Sequence, residues 1–182
     1  MSLPHALLGL LNYQPATGYK LKATFEQSIH FFWNASLPQI YRTLNEMERL
    51  GWVEVTVEHQ DGKPSRKIYS VTPVGQEELR RWLAEAPEPP VTRSPLLVRV
   101  FFGNQMEPEI LTGHLRDLRE STAALLKRYE EEIPLVIRES ASSAGVSGDV
   151  PYWKMTLDFG CRFARMVIAW CDDALAFLES DH

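Results

Sequence analysis

Gln39 and Arg42 carry side chains that can read base edges, and they lie three residues apart in a segment with helical spacing. A glutamine amide can form two hydrogen bonds with adenine, and an arginine guanidinium can form two with guanine. Arg42 could instead bind a phosphate, and the sequence leaves that alternative open. Both belong to a polar face opposite the apolar residues of the segment, made up of Pro38, Gln39, Arg42, Glu46 and Arg49. Most polar helix faces are merely solvated, so the interpretation depends on the surrounding elements.

A second basic group follows the turn-forming pair Asp61-Gly62. It contains no acid and consists of Lys63, Ser65, Arg66 and Lys67, with Pro64 among them. Short charge runs are usually solvated loops. We expect this one to bind the phosphate backbone of a nucleic acid, because it would form the tip of a β-hairpin. Lys20 and Lys22, in the predicted helix before Gln39, add positive charge nearby.

The sequence offers little for catalysis or metal binding. The histidines are scattered and form no His-x-x-x-His pair that could hold a metal. His114 and Asp117 share a predicted helix face, but neither a nucleophile nor a glycine-rich phosphate loop accompanies them. Cys161 and Cys171 are separated by about 15 Å along one predicted helix, which is too far for a disulfide. We therefore predict a protein that is not an enzyme and needs neither a metal nor a cofactor.

Three helices are predicted to position the first polar group. Leu3 to Leu11 is apolar and long enough for a buried helix, and Thr17 can cap a second helix from Tyr19 to about Gln27. The third helix begins at Ser36, whose side chain can cap the free amides of the first turn. The Gln39 side chain can bond the Ser36 backbone amide in return. Leu50-Gly51 ends that helix. Its buried face is predicted to hold Leu37, Ile40, Tyr41, Leu44 and Met47.

A β-hairpin and a fourth helix follow. Val53, Val55 and Val57 alternate with polar residues, and residues 67–71 resume as the partner strand beyond the turn. Thr72-Pro73 opens a helix to about Ala84, with Thr72 as its cap. Three helices, a hairpin and a closing helix form a winged helix-turn-helix, in which the third helix enters the major groove.

Charge and proline content divide the chain into two domains. Three prolines in residues 87–90 interrupt regular structure, so we predict domains at 1–85 and 94–182 joined by a linker at 86–93. The net charge is −5, yet residues 1–85 carry nine basic and nine acidic side chains, whereas residues 86–182 carry ten and fifteen. The excess negative charge therefore belongs to the second domain, and the first retains local basic clusters.

The second domain is predicted to be helical and to mediate dimerisation, with a mobile Ser- and Gly-rich loop from Ser140 to Pro151. Apolar residues recur at steps of three and four in two long segments, the spacing of a helix seam. Part of this surface must form an ordinary intrachain core. The residues predicted for dimerisation are Leu111, Leu115, Leu118, Leu125, Phe163, Val167, Trp170, Cys171 and Leu178. A small aromatic or apolar effector could bind among Tyr152, Trp153, Trp170 and Phe177, although a packed core is the commoner role of such residues.

Five sequence blocks in order resemble the PadR family of transcriptional regulators. They are Leu7–Leu11, Thr17–Leu21, Ile40–Leu44, Leu50–Val53 and Arg66–Gly75, the last with a Tyr-x-x-Thr-x-x-Gly pattern. The resemblance covers residues 3–85. The second half is similar in architecture to members with a virulence-activator-like C-terminal domain.

The resemblance implies a fold that is mainly α with one hairpin, and a homodimer that binds a pseudo-palindromic operator in double-stranded DNA, usually as a repressor. It also implies a phosphate contact for Tyr41. The residues expected to contact DNA are thus Lys20, Lys22, Ser36, Pro38, Gln39, Tyr41, Arg42, Lys63, Ser65, Arg66 and Lys67. A winged helix that binds another protein instead of DNA is the alternative, although such domains usually lack a basic wing.

The sequence predicts a cytoplasmic protein by default. Residues 1–5 lack the basic lead and cleavage site of a signal peptide. Apolar runs are far shorter than the ~20 residues that a membrane span requires.

Overall fold

A computed structural model describes residues 3–28, 33–60, 63–87 and 93–180 of the chain. Within these ranges, the side chains of residues 60, 63, 64, 143 and 144 are left undescribed. The chain divides into two compact units, Met1–Pro87 with Ser143–Val146 and Glu88–Ser142 with Ser147–His182. The described residues include no helix that is both long and apolar enough to cross a membrane.

The first unit contains the six elements predicted from the sequence, in the predicted order. They are α1 (Leu3–Tyr13), α2 (Gly18–Ser28), α3 (Leu37–Arg49), β1 (Val53–Gln60), β2 (Lys63–Val71) and α4 (Pro73–Ala84). Leu79 of α4 packs against a core of fully buried apolar residues from the other five elements. Chief among these residues are Leu7, Leu8, Leu11, Leu21, Phe25, Ile40, Leu44, Met47, Val53 and Tyr69. The winged helix-turn-helix fold is confirmed.

Local capping fixes the limits of α3 and α4. Ser36 and Gln39 form the predicted capping box at the start of α3. Gly51 follows the end of α3 with a φ of 73°, a left-handed conformation that favours glycine. Thr72 caps α4 by accepting from the Gly75 amide at 3.1 Å, and its hydroxyl donates to the Gly51 carbonyl at 2.6 Å. Thr72 thereby joins the end of the hairpin to the end of α3.

The hairpin is longer than the sequence pattern indicated. Val53 pairs with Val71 and Glu58 with Arg66 in an antiparallel register. Residues 63–66 therefore belong to β2, and the prediction that this strand starts at Lys67 was wrong by four residues. The predicted turn, Asp61-Gly62, lies outside the described residues. Ala16 exchanges two backbone hydrogen bonds with Tyr69, of 3.0 and 2.9 Å, which ties the α1–α2 loop to the hairpin.

The contact of α1 with α4 contains a buried polar group. His5 donates from Nε2 to the Glu78 carboxylate at 2.9 Å, and its ring stacks on Trp82 with centroids 4.6 Å apart. Hydrogen bonds from Arg81 and then from His5 lower the pKa of Glu78 to about 2. The charged carboxylate therefore links α4 to α1 at neutral pH.

Helices also make up the second unit, as predicted. They are α5 (Pro95–Phe101), α6 (Pro108–Glu131), α7 (Ile133–Ala144) and α8 (Val150–Ser180), with short 3-10 turns at Gly103–Gln105 and Ser147–Asp149. Ion pairs join Arg119 to Asp172 and Arg165 to Glu130. Glu130 follows Arg119 along α6, whereas its partner Arg165 precedes Asp172 along α8. The two long helices therefore pack antiparallel.

The predicted mobile loop from Ser140 to Pro151 is wrong. Residues up to Ala144 belong to α7, and α8 begins at Val150. Serine is a weak helix former, but the Ser142 hydroxyl bonds the Arg138 carbonyl at 3.0 Å and is satisfied within the helix. The helix ends before Gly145, which has a φ of 66°.

Candidate nucleic-acid interface

The first turn of α3 is held by its own capping residues. The Gln39 side-chain oxygen accepts from the Ser36 amide at 2.8 Å and from the Ser36 hydroxyl at 2.9 Å. An amide oxygen has two lone pairs, so both are occupied. Pairing with adenine in two hydrogen bonds requires that same oxygen. The two roles predicted for Gln39 therefore compete, and the capping role is the one formed in this structure.

Arg42 lies one turn further along α3 and is exposed. No ion pair or hydrogen bond connects its guanidinium to another residue in the described part of the chain. Pro38, on the same face, is also exposed. Glu46 and Arg49, at the far end, bind each other at 2.6 Å, and this bond lowers the pKa of Glu46. The far end of the face is thus paired internally, whereas Arg42 is available.

Lys22 makes contacts near the start of α3 that the sequence did not predict. Its ammonium lies 2.8 Å from the Ala35 carbonyl and 2.9 Å from the Glu26 carboxylate. Ala35 is buried directly before the Ser36 cap. Lys22 therefore ties α2 to the entrance of α3. Lys20, by contrast, is exposed, and among the described residues its ammonium bonds only the Gln14 side chain, at 3.1 Å.

Tyr41 packs at the start of α2 beside an exposed second tyrosine. Its ring meets that of Tyr19 edge-on, with centroids 6.2 Å apart. A Cβ added to Gly18 would lie 2.6 Å from the Tyr41 ring, so glycine permits this close approach. Burial, and then the proximity of Tyr19, raises the pKa of Tyr41. The Tyr41 hydroxyl therefore stays a protonated donor near neutral pH. Tyr19 was missed in the sequence analysis, although it lies within the Thr17–Leu21 block.

The hairpin of β1 and β2 is the wing of this fold, and its basic side chains differ in whether an acid binds them. Arg66 is bound by the Glu58 carboxylate across the strand pair, and this bond raises the pKa of Arg66 and lowers that of Glu58. Lys67 is exposed and has no partner among the described side chains. Ser65 Oγ lies 2.9 Å from His59 Nδ1, a pairing that the sequence did not indicate. The side chain of Lys63 lies outside the described part.

The residues predicted for dimerisation separate into two groups. Leu111, Leu115 and Cys171 form a buried core between α6 and α8. Partly buried residues pack against this core, and they include Leu118, Val167, Trp170 and Leu178. Leu125 and Phe163 are exposed instead, the latter by 56 %. Most of the residues that their spacing predicted for dimerisation are thus packed inside the chain itself.

Two further features bear on small ligands. Within the second unit an open apolar groove runs along α5, lined by Arg93, Ser94, Pro95, Leu97, Val98, Phe101 and Phe102. Tyr152 and Phe177, predicted to surround an effector, are exposed on α8. In the described ranges, no three His, Cys, Asp or Glu side chains are grouped so that they could hold a metal ion.

Comparison with known families matches both halves of the chain. Residues 7–81 match the model of the transcriptional regulator PadR-like family. Residues 92–179 match the model described as virulence activator alpha C-term. The chain is 46 % identical to the "Probable transcriptional regulator Rv1176c" of Mycobacterium tuberculosis, over 98 % of each chain.

Solved structures resemble the whole chain. The virulence activator AphA of Vibrio cholerae has a TM-score of 0.75 at 27 % identity, and the match covers 100 % of each chain. PadR of Bacillus subtilis in complex with operator DNA has a TM-score of 0.80 at 22 % identity, covering 98 % of each chain. The same Bacillus protein in complex with p-coumaric acid has a TM-score of 0.69 at 21 % identity, covering 98 % of this chain and 99 % of that one.

Proposed function

The chain belongs to the PadR-like family of transcriptional regulators, and from this we propose that it is a repressor that binds a pseudo-palindromic operator as a homodimer. The single observation that carries the proposal is the guanidinium of Arg42, which is exposed on the outer face of α3 and unpaired among the residues that the structure describes. A recognition helix needs such a donor near its N-terminal end.

Arg42 is the base-reading residue of α3 in this proposal, and Gln39 holds the start of the helix. Gln39 Oε1 is engaged by Ser36, so reading adenine would require opening the cap. Arg42 has no hydrogen bond or ion pair to another described residue that it would lose on entering a groove. A guanidinium bound to guanine discriminates against other bases by about 1–3 kcal/mol.

The wing and the start of α2 bind the DNA backbone. Lys67 and, once released by Glu58, Arg66 contribute positive charge on β2, together with Lys63. Tyr19 and Tyr41 offer phenolic donors to phosphate. Lys22 acts indirectly, because its ammonium already binds the Ala35 carbonyl and Glu26. Such contacts fix the orientation of α3 without selecting a sequence.

Self-association uses the second unit. Leu111, Leu115 and Cys171 are enclosed between α6 and α8, so they support the interface from within. Phe163 lies on an exposed apolar face of α8 that a second copy would cover. The two winged helix-turn-helix domains of the dimer then contact half-sites that are one turn of the DNA helix apart.

A small aromatic effector is a further part of the proposal. The groove on α5 offers apolar and aromatic walls with Arg93 among its lining residues. These walls would accept an aryl group, and the guanidinium would bind an acidic substituent. Binding there would regulate DNA affinity, and we propose this groove in place of the cluster around Trp153.

Replacement of Arg42 tests the proposed reading role. Operator fragments would be selected from genomic DNA with the purified chain, and affinities measured by fluorescence anisotropy. Arg42→Ala should weaken operator binding at least tenfold, since it removes a bidentate contact or a phosphate contact. A loss confined to operators with one particular base pair assigns base reading, whereas an equal loss on all duplexes assigns a phosphate contact.

Arg80→Ala is the matched control for charge. Arg80 is also an exposed arginine of the first unit, but it pairs with Glu77 on α4. Its replacement should leave the affinity within a factor of two. If Arg42→Ala and Arg80→Ala bind the selected operator equally well, α3 is not the reading element.

A further inference from the structure

Asn45 is an exposed polar side chain in the interior of α3. It lies three residues beyond Arg42, well away from either end of the helix. Its amide makes no hydrogen bond with another residue in the part of the chain that the structure describes. Asn45 was missed in the sequence analysis, which gave the reading of adenine to Gln39. Its placement in the recognition helix calls for a role.

Asn45 belongs to the narrow stripe of α3 that points away from the core. At about 100° per residue, this stripe is about 60° wide and consists of Pro38, Arg42, Asn45 and Arg49. The buried residues of α3 lie on the opposite side of the helix. Within the stripe, Arg49 is bound by Glu46 at 2.6 Å. Arg42 and Asn45 are therefore the polar side chains of the stripe that have no partner among the described residues.

The Asn45 amide has the donor and the acceptor that recognition of adenine requires. In the major groove adenine presents an N6 amino donor beside its N7 acceptor, and an amide side chain can bind both. Gln39 Oε1 is already occupied by the backbone amide and the hydroxyl of Ser36. Both ends of the Asn45 amide, by contrast, are unengaged among the described residues. Asn45 can therefore bind adenine without opening the cap of α3.

An asparagine at this position also weakens the helix that carries it. Asparagine is a poor helix former, because its short amide competes with the backbone for hydrogen bonds. Ser142 offsets a similar disadvantage in α7 by bonding the Arg138 carbonyl at 3.0 Å. The Asn45 amide has no such bond within the described part of the chain. A residue that opposes the local structure without a compensating contact is typical of a functional position.

We propose that Asn45 reads an adenine in the major groove next to the base contacted by Arg42; this inference rests on the proposed reading role of α3. Asn45 Oδ1 accepts from adenine N6, and Nδ2 donates to N7. Arg42 and Asn45 are about 4.5 Å apart along the helix axis. This distance is close to the step of about 3.4 Å between successive nucleotides of one strand. α3 thus reads two neighbouring base pairs with two side chains.

A base analogue tests this contact with the full-length chain. Each adenine of a selected operator duplex would in turn be replaced by 7-deazaadenine, which keeps its base pairing but lacks the N7 acceptor. One of these replacements should weaken binding of the wild-type chain at least about fivefold, measured by fluorescence anisotropy. The same replacement should leave the affinity of Asn45→Ala unchanged. Asn45→Ala should also resist denaturant at least as well as the wild type, because alanine is the better helix former.

Asn104→Ala is the matched control, because Asn104 is an exposed asparagine of the second unit. This variant should be as sensitive to the analogue as the wild type. Sensitivity that persists in Asn45→Ala would overturn the inference, and its disappearance in Gln39→Ala would assign the contact to Gln39. If Arg42→Ala loses affinity but no adenine analogue affects the wild type, only the role of Asn45 is contradicted. If Arg42→Ala also binds normally, the reading role of α3 fails with it.

Discussion

At the scale of single residues, the Glu58–Arg66 pair sets how much positive charge the wing presents. The carboxylate and guanidinium bind each other across β1 and β2, and both are about half exposed. An exposed pair of this kind contributes little to stability. A phosphate approaching Arg66 must therefore compete with Glu58, and we expect Glu58 to weaken DNA binding by its charge.

Replacement of Glu58 should accordingly strengthen DNA binding. We expect Glu58→Gln to raise operator affinity about two- to fivefold in dilute buffer, and the gain should shrink as salt screens the charges. Fluorescence anisotropy at several salt concentrations measures both effects. Glu77→Gln, which frees Arg80 on α4 in the same way, should leave affinity unchanged. Equal responses of the two variants would exclude Glu58 from the interface.

The residue types of the candidate site were predictable, whereas their partners were not. The sequence indicated both a cap and a base contact for Gln39, and only the position of its side-chain oxygen decides between them. Lys22 has the same charge as Lys20, yet Lys22 lies within 2.8 Å of a buried loop carbonyl. Such differences depend on contacts between elements, which the local pattern does not specify.

At the scale of elements, Gly75 sets how closely α4 packs on the turn after α3. A Cβ at this position would lie 2.1 Å from the Trp52 carbonyl oxygen, which is backbone and cannot move aside. Gly75→Ala should therefore destabilise the first unit by at least about 2 kcal/mol. The measurement is denaturant unfolding followed by tryptophan fluorescence, since Trp52 lies beside α4 and Trp82 lies within it.

Gly113 provides the matched glycine. It lies within α6, where an added Cβ meets nothing within 4 Å. Gly113→Ala should stabilise the chain by about 0.5–1 kcal/mol, because alanine loses less backbone entropy in a helix. A similar, small effect of both substitutions would disprove the close approach of α4 to Trp52.

Caps and periodicity were sufficient to predict the elements of the first unit. Ser36, Gly51 and Thr72 each define an end of a helix through short-range hydrogen bonds or a left-handed φ. The prediction failed where serine-rich composition suggested a loop before α8, because Ser142 satisfies its hydroxyl inside α7. The bridge between Ala16 and Tyr69 was also missed, since it joins residues distant in sequence.

At the scale of the whole molecule, the residues predicted for the dimer seam include some that are buried within the chain and some that are exposed. Spacing of three and four identifies a buried stripe but does not say which chain buries it. Cys171 lies against α6, whereas Phe163 is exposed on α8. Division of the chain near its prolines is a property of composition and stays a prediction, since residues 88–92 lie outside the described part.

The central claim is that two copies of this chain, joined through α8, bind one operator. Sedimentation velocity with a labelled, selected duplex measures it directly. We predict two chains per duplex. Phe163→Glu, which introduces a charge on the exposed apolar surface of α8, should bind at least tenfold more weakly, and Leu135→Glu is the unaffected control. One chain per duplex, or wild-type affinity of Phe163→Glu as a monomer, would contradict the claim.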